Sequence, residues 1–189
     1  MYIKTGEGLG QGQATWSTLQ TFNRPTTQPT QTGYLGNFNE YMGKAGTEPC
    51  KEIWAVSEFG PNSAKLLDFQ KKHIKDIATR IIRLLERDLK GTGKGAEVRV
   101  QLSFEGHVDK STDPANFGEL DLERARAVGW LFQREIVNEW NKKLVFEHPA
   151  LFSNEESGVG STRPFGDGKD SKKNRRVVIC VRWWIKSTP

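Results

Sequence analysis

The sequence predicts an α/β (α+β) sandwich, and three observations carry that prediction. Val98, Val100, Leu102 and Phe104 alternate with Glu97, Arg99, Gln101, Ser103 and Glu105, the period-2 pattern of a strand with one buried face. Ala125, Val128, Phe132, Ile136 and Trp140 recur every three or four residues, the stripe of an amphipathic helix. Val177, Val178, Ile179, Cys180 and Val181 form an unbroken apolar run, which suits a strand covered on both faces. Strand, helix and strand in that order bury their apolar faces by packing helices on a sheet.

The elements follow in chain order. Residues 1–49 are rich in Gly, Gln, Thr and Asn, with Trp16, Phe22, Tyr34, Phe38 and Tyr41 scattered among them. So little apolar surface does not offset the entropy of ordering a chain. This stretch therefore reads as an extended arm whose isolated aromatics lie along other protein subunits, and 50–189 as the folded domain. The glycines at 6, 8, 10 and 12 follow no strand and fit neither the dinucleotide nor the P-loop pattern, so no nucleotide cofactor is expected. Ile53, Trp54 and Val56 mark a short strand over 52–59, and Gly60-Pro61-Asn62-Ser63 a turn that caps a helix. That helix is expected over 64–89, with Leu67, Ile74, Ile77, Ile81, Leu84 and Leu85 on its buried face. Gly91, Gly93 and Gly95 lead into the second strand, which Gly106 ends. Asp121 is placed to act as N-cap of the second helix. A third strand is expected over 143–146, a loop over 148–156, a turn over 165–173 and the last strand over 175–185. Trp183 and Trp184 close that strand as core and rim packing.

A chain of 189 residues accommodates one domain with an extension. Hydrophobic residues make up 35% and mean hydropathy is −0.63, so a polar, partly non-globular segment is expected. No run approaches the roughly eighteen apolar residues of a membrane helix, and Met1 to Gly8 lacks the basic start and apolar stretch of a secretory signal. In residues 1–50, Lys4, Arg24 and Lys44 balance Glu7, Glu40 and Glu48, so the net charge of +5 lies in 51–189. That excess favours anionic partners such as cell-wall polymers; charge alone makes nucleic acid an unlikely one. Cys50 and Cys180 match no metal-ligand spacing. A disulfide and two buried free thiols both fit them.

Asp109 leaves the end of a strand and Arg124 opens the helix fifteen residues later. Alone, the two fit a structural ion pair as well as a small polar pocket. His107 and Asp109 lack a third ligand, so no metal site is expected. No nucleophile stands at a recognisable spacing from a general base, so the chain reads as a binding module and not an enzyme.

These residues also carry a resemblance. Gly106-His107-Val108-Asp109, the run Leu120-Asp121-Leu122-Glu123-Arg124-Ala125, Gly158-Val159-Gly160 with Arg163-Pro164 behind it, and Asn174-Arg175-Arg176-Val177 fall in one order. That is the order of the OmpA-like domain, the peptidoglycan-binding module at the C-termini of OmpA, Pal and MotB, which the chain resembles over residues 50–184. The resemblance implies a mixed four-stranded sheet with two main helices on one face. It also implies recognition of the diaminopimelate-bearing stem peptide, whose side chain ends in an ammonium and a carboxylate on one carbon. Asp109 would accept from the ammonium, and Arg124, with helix amides behind it, would hold the carboxylate. Asn116, Phe117 and Leu120 would line the same pocket, and Asn174 and Arg175 would border it. The chain departs from the family at two places. Phe117 stands where the family has an Asn three residues before the leucine, with Asn116 one residue earlier, and Asp121 replaces a serine.

Family members reach the periplasm by a leader or an anchor, and neither is legible here. The expectation is therefore a subunit of a larger particle, such as a phage tail or a contractile injection system, that meets the cell wall. The alternative is a purely structural assembly subunit whose pocket is degenerate.

Overall fold

The structure is a computed structural model that describes residues 14–18, 50–109, 119–145, 147–161 and 171–186. In chain order it contains β1 (Ala14–Thr18), β2 (Glu52–Val56), α1 (Asp68–Leu89), β3 (Glu97–Gly106), α2 (Leu120–Lys143), β4 (Ala150–Gly158), α3 (Ser171–Asn174) and β5 (Val177–Lys186). The sheet order is β1-β4-β3-β5-β2. β4 runs parallel to both β1 and β3, while β5 runs antiparallel to β3 and β2, so the sheet is mixed. The four strands expected of the domain are present, and β1, from the stretch read as an arm, pairs along the outer edge of β4.

α1 and α2 lie on one face. Val98, Val100, Leu102 and Phe104 of β3 and Val177, Ile179, Val181 and Trp183 of β5 are buried against Ile74, Ile77, Ile81 and Leu85 of α1. The α2 stripe of Ala125, Val128, Phe132, Ile136 and Trp140 is 0% exposed throughout, so its 3.6-residue period did place the helix. Edge-to-face aromatic pairs join this stripe to the sheet, Phe104 to Phe132 at 5.8 Å and Trp140 to Phe152 at 5.7 Å. On the opposite face Cys50, Ile53, Val178 and Cys180 make a second, smaller cluster. Cys50 and Cys180 are joined in a disulfide there, which decides the alternative that the sequence left open. Trp183 is core and Trp184 is 37% exposed at the rim, as expected.

Several expectations need correction. The first helix begins at Asp68 and not at residue 64, and Leu67 is 45% exposed instead of buried. The carbonyls of Gly60 and Ser63 are turned towards Arg124, which keeps 60–67 out of the helix. Buried Gln70 closes the helix start, accepting from the Leu67 amide and donating to the Ser57 carbonyl. The first strand of the domain ends at Val56. Asp121 lies inside α2, after Leu120, and its carboxylate serves a tertiary contact.

The largest correction concerns the third strand of the domain. Residues 143–145 end α2 and form a turn, and residue 146 lies outside the described residues. The strand is β4, Ala150–Gly158, where a loop was expected. Its sequence, Ala-Leu-Phe-Ser-Asn-Glu-Glu-Ser-Gly, offers only Ala150 and Phe152 as fully apolar inward positions. Backbone pairing with β3 over nine residue pairs holds it in place despite that polarity. Of the turn expected over 165–173, residues 171–173 belong to the single-turn helix α3, and 162–170 lie outside the described residues.

Candidate functional site

β3 and β4 run parallel and stop together, because Gly106 and Gly158 are register partners. Both glycines are required by the close approach of α2. A Cβ on Gly106 would lie 1.7 Å from the Asp121 carbonyl oxygen, and one on Gly158 would lie 2.3 Å from Asp121 Oδ1. The paired glycines thus form a notch that seats the first turn of α2. Asp121, 0% exposed, fastens that seat: Oδ2 accepts from the Gly160 amide at 2.5 Å and Oδ1 from the Leu122 amide at 2.8 Å. The turns beyond the two strands are tied to each other, with the Val108 amide donating to Gly160 O and the Val159 amide to Gly106 O.

The notch sets where Arg124 arrives, one turn into α2. Its guanidinium is fully buried and donates to three backbone carbonyls: Nε to Ser63 O at 2.9 Å, Nη1 to His107 O at 3.0 Å and Nη2 to Gly60 O at 2.9 Å. The Phe59 ring lies under it, 5.4 Å from Cζ. The Arg124 guanidinium is lowered to about 10, by burial first and by the neighbouring Arg175 second, against the upward pull of Asp109 and Asp121. It stays charged at neutral pH.

Asp109, 4% exposed, pairs with Arg175: Nη1 to Oδ2 is 2.6 Å, while Arg175 Nε donates to Phe59 O, also at 2.6 Å. Asp109 is therefore paired with Arg175 and not with Arg124, which lies adjacent and is bound to the main chain. Asn174, at the end of α3, is buried, and Leu120, at the start of α2, is 9% exposed. Asn116 and Phe117 lie outside the described residues. The structure so brings Asp109, Arg124 and Arg175 into one polar cluster at the C-terminal ends of β3 and β4.

The ledger of charge is informative. Asp121 is bonded to two amides, and its charge acts on Arg124 together with that of Asp109. Among the described residues the cluster therefore sets two carboxylates against two guanidiniums in a poorly solvated place, where charged groups interact more strongly than in water. His107 and Glu105 are buried side by side, with Nε2 and Oε1 3.1 Å apart. Among the described residues no group of three or more His, Cys, Asp or Glu is placed to hold a metal ion.

Sequence reasoning missed the roles of Phe59, Gly60 and Ser63, which act through their carbonyls; side-chain identity gives no signal for a backbone acceptor. It also missed what Asp121, Gly106 and Gly158 do together. The one available signal was the coincidence of two glycines with a helix start, in motifs far apart in the chain.

Comparison with known proteins gives similarity of structure. The chain is similar to solved OmpA-like domains. The peptidoglycan-associated lipoprotein from Burkholderia pseudomallei is 15% identical, with 68% of this chain and 89% of that one covered and a TM-score of 0.44. The C-terminal domain of Helicobacter pylori MotB is 22% identical, with 68% and 84% covered and a TM-score of 0.45. The OmpA-like domain of FopA1 from Francisella tularensis is 16% identical, with 72% and 75% covered and a TM-score of 0.40. No family model and no curated protein matches the chain. Among the described residues no helix is long and apolar enough to cross a membrane.

Proposed function

We propose that the Asp109, Arg124 and Arg175 cluster binds peptidoglycan non-covalently, through the diaminopimelate side chain of the stem peptide. The observation that carries this reading is the Asp109–Arg175 pair, an acid and a base 2.6 Å apart beside the buried Arg124. A group bearing an ammonium and a carboxylate on one carbon satisfies both needs at once. The ammonium takes the place of Arg175 on Asp109, and the carboxylate is held by Arg175 as a two-pronged pair. Arg124 contributes charge and holds Gly60, Ser63 and His107 in position; three of its five donors are already used. The four ordered motifs of the sequence support the same reading. The Cys50–Cys180 disulfide supports a location outside the reducing cytosol, at the periplasm or cell wall.

The test is co-sedimentation with purified sacculi of the diaminopimelate type and, as control, of the lysine type, using the chain and its Asp109→Asn and Arg175→Gln variants. Binding to the first sacculi only, lost in both variants while thermal unfolding remains cooperative, is the expected result. Binding to neither type, or binding indifferent to both substitutions, overturns it.

A second reading is favoured by one observation, the full burial of Arg124 on main-chain carbonyls. It holds that the pocket is degenerate and the chain is an assembly subunit, for example of a phage tail or contractile injection system, with residues 1–49 making the subunit contacts. That reading requires self-association or partner capture to be lost on removal of 1–49, which sedimentation velocity measures directly.

A further inference from the structure

A concave site lies at the other end of the sheet, about 30 Å from Asp109 along the ten residues of β3. It is a cleft of about 590 Å³ between the C-terminal ends of α1 and α2. Its rim is basic, with Arg83, Arg87, Lys90, Lys94 and Lys143 against Glu86 and Glu147. Lys143 is paired with Glu86 at 3.6 Å and Arg87 with Asp88 at 3.0 Å. Arg83, Lys90 and Lys94 reach no carboxylate among the described residues, so the cleft carries a positive excess.

Basic side chains near helix C-termini often serve only to offset the negative ends of the helices. Here the backbone already does much of that. Leu89 O accepts from both the amide and the hydroxyl of Thr92, Trp140 O accepts from the Leu144 and Val145 amides, and Leu144 O accepts from the Glu147 and His148 amides. The loop between α1 and β3 leaves room above the main chain: Gly91 and Gly93 hold φ of +90° and +76°, and a Cβ at either would meet nothing within 4 Å. His148 belongs to the wall, is 5% exposed, and its Nδ1 has no hydrogen-bond partner. A bound anion would supply a counter-charge to Arg83, Lys90 and Lys94.

We propose that this cleft is a phosphate-binding site, taking either a soluble phosphoester or the phosphate of an anionic lipid headgroup. Compact ammonium groups on Lys90 and Lys94 beside an open glycine loop suit a tetrahedral anion, with Arg83 adding a planar donor. With peptidoglycan held at the opposite end, the domain would join two envelope components across the length of its sheet. The site itself is argued independently of the peptidoglycan reading.

The experiment uses the full-length, disulfide-bonded chain. Pyrophosphate is titrated by calorimetry, and co-sedimentation is measured with vesicles of phosphatidylcholine alone and of phosphatidylcholine with phosphatidylglycerol. The test variant is Lys90→Glu with Lys94→Glu, all exposed positions. The control is Lys65→Glu with Lys75→Glu, equally exposed and equal in net charge. Pyrophosphate binding without vesicle binding assigns the site to a soluble phosphoester. Binding to the anionic vesicles alone, competed by pyrophosphate, assigns it to a headgroup. In either case affinity should fall about tenfold or more in the test variant and less than about twofold in the control. No binding of either probe, or equal losses in the two variants, overturns the proposal. Sacculus binding should be unchanged by Lys90→Glu with Lys94→Glu, which keeps the two sites' outcomes separate.

Discussion

Arg124 and Arg175 flank the same carboxylate, yet Arg124 is fully buried and spends three donors on loop carbonyls, whereas Arg175 places Nη1 on Asp109 and keeps 11% of its side chain exposed. The difference lies in what each guanidinium would have to give up for a ligand. Releasing Arg124 leaves three main-chain acceptors without a donor and loosens 60–63. Releasing Arg175 from Asp109 frees a carboxylate and a guanidinium, which a zwitterionic group can satisfy in turn. On the proposed reading, Arg124 builds the pocket and Arg175 exchanges within it.

The largest expected effect breaks that contrast directly. Arg124→Gln should lower the free energy of unfolding by about 3 kcal/mol or more, because one buried and two part-buried carbonyls lose their donors at roughly 1–3 kcal/mol each; urea denaturation reads it. A loss below about 1 kcal/mol would mean that Arg124 is no more structural than Arg175.

Gly106→Ala should come close behind, at about 3 kcal/mol, since its new Cβ would meet the main chain of Asp121, and backbone gives way less readily than a side chain. By shifting α2 this change displaces Arg124 and not Arg175, so sacculus binding should weaken while the Asp109–Arg175 pair survives. Retained stability would show that the glycine notch does not seat the helix.

Cys50→Ser removes a link across 130 residues on the opposite face, touching neither arginine. A loss of about 2–5 kcal/mol is expected, with binding by the folded fraction unchanged. Altered binding would tie the disulfide to the pocket. Arg175→Gln should cost about 1–3 kcal/mol in stability and about tenfold or more in sacculus affinity.

The smallest effect concerns two carboxylates for which burial outweighs the pull of the neighbouring cations, Arg182 on Glu155 and Arg126 on Glu156. Burial raises both Glu155 and Glu156 above the ordinary carboxylate range, against the weaker pull of Gln101 on the first and of Arg126 on the second. The folded chain then binds these protons more tightly than the unfolded chain, so stability gains as pH falls from neutral towards the ordinary range, and loses as pH rises. Glu155→Gln with Glu156→Gln should raise the melting temperature at pH 7 and flatten its rise on mild acidification. A variant melting curve parallel to the parent's at every pH would remove this distinction.

Much of the fold was legible because it depends on period. The β3 alternation, the α2 stripe and the apolar run of β5 each match a buried face, and burial is a property that side chains announce one by one. β4 was illegible for the converse reason. It is held chiefly by backbone pairing between β3 and β1, and carries Ser153, Asn154, Glu155, Glu156 and Ser157 in succession. The start of α1 was misjudged because Gly60 and Ser63 give their carbonyls to a residue more than sixty positions away.

The sequence by itself determined where β3 ends and that Arg124 lies in the first turns of α2, since the period-2 alternation broken by Gly106 and the 3.6-residue stripe are local patterns. It also determined that the cluster would hold acids and bases together. Only the tertiary structure decided which base faces Asp109, that Arg124 would be consumed by main-chain acceptors, and that Cys50 and Cys180 would meet. Those outcomes depend on distances between segments brought together by a shared core, and no local pattern encodes a distance across 130 residues.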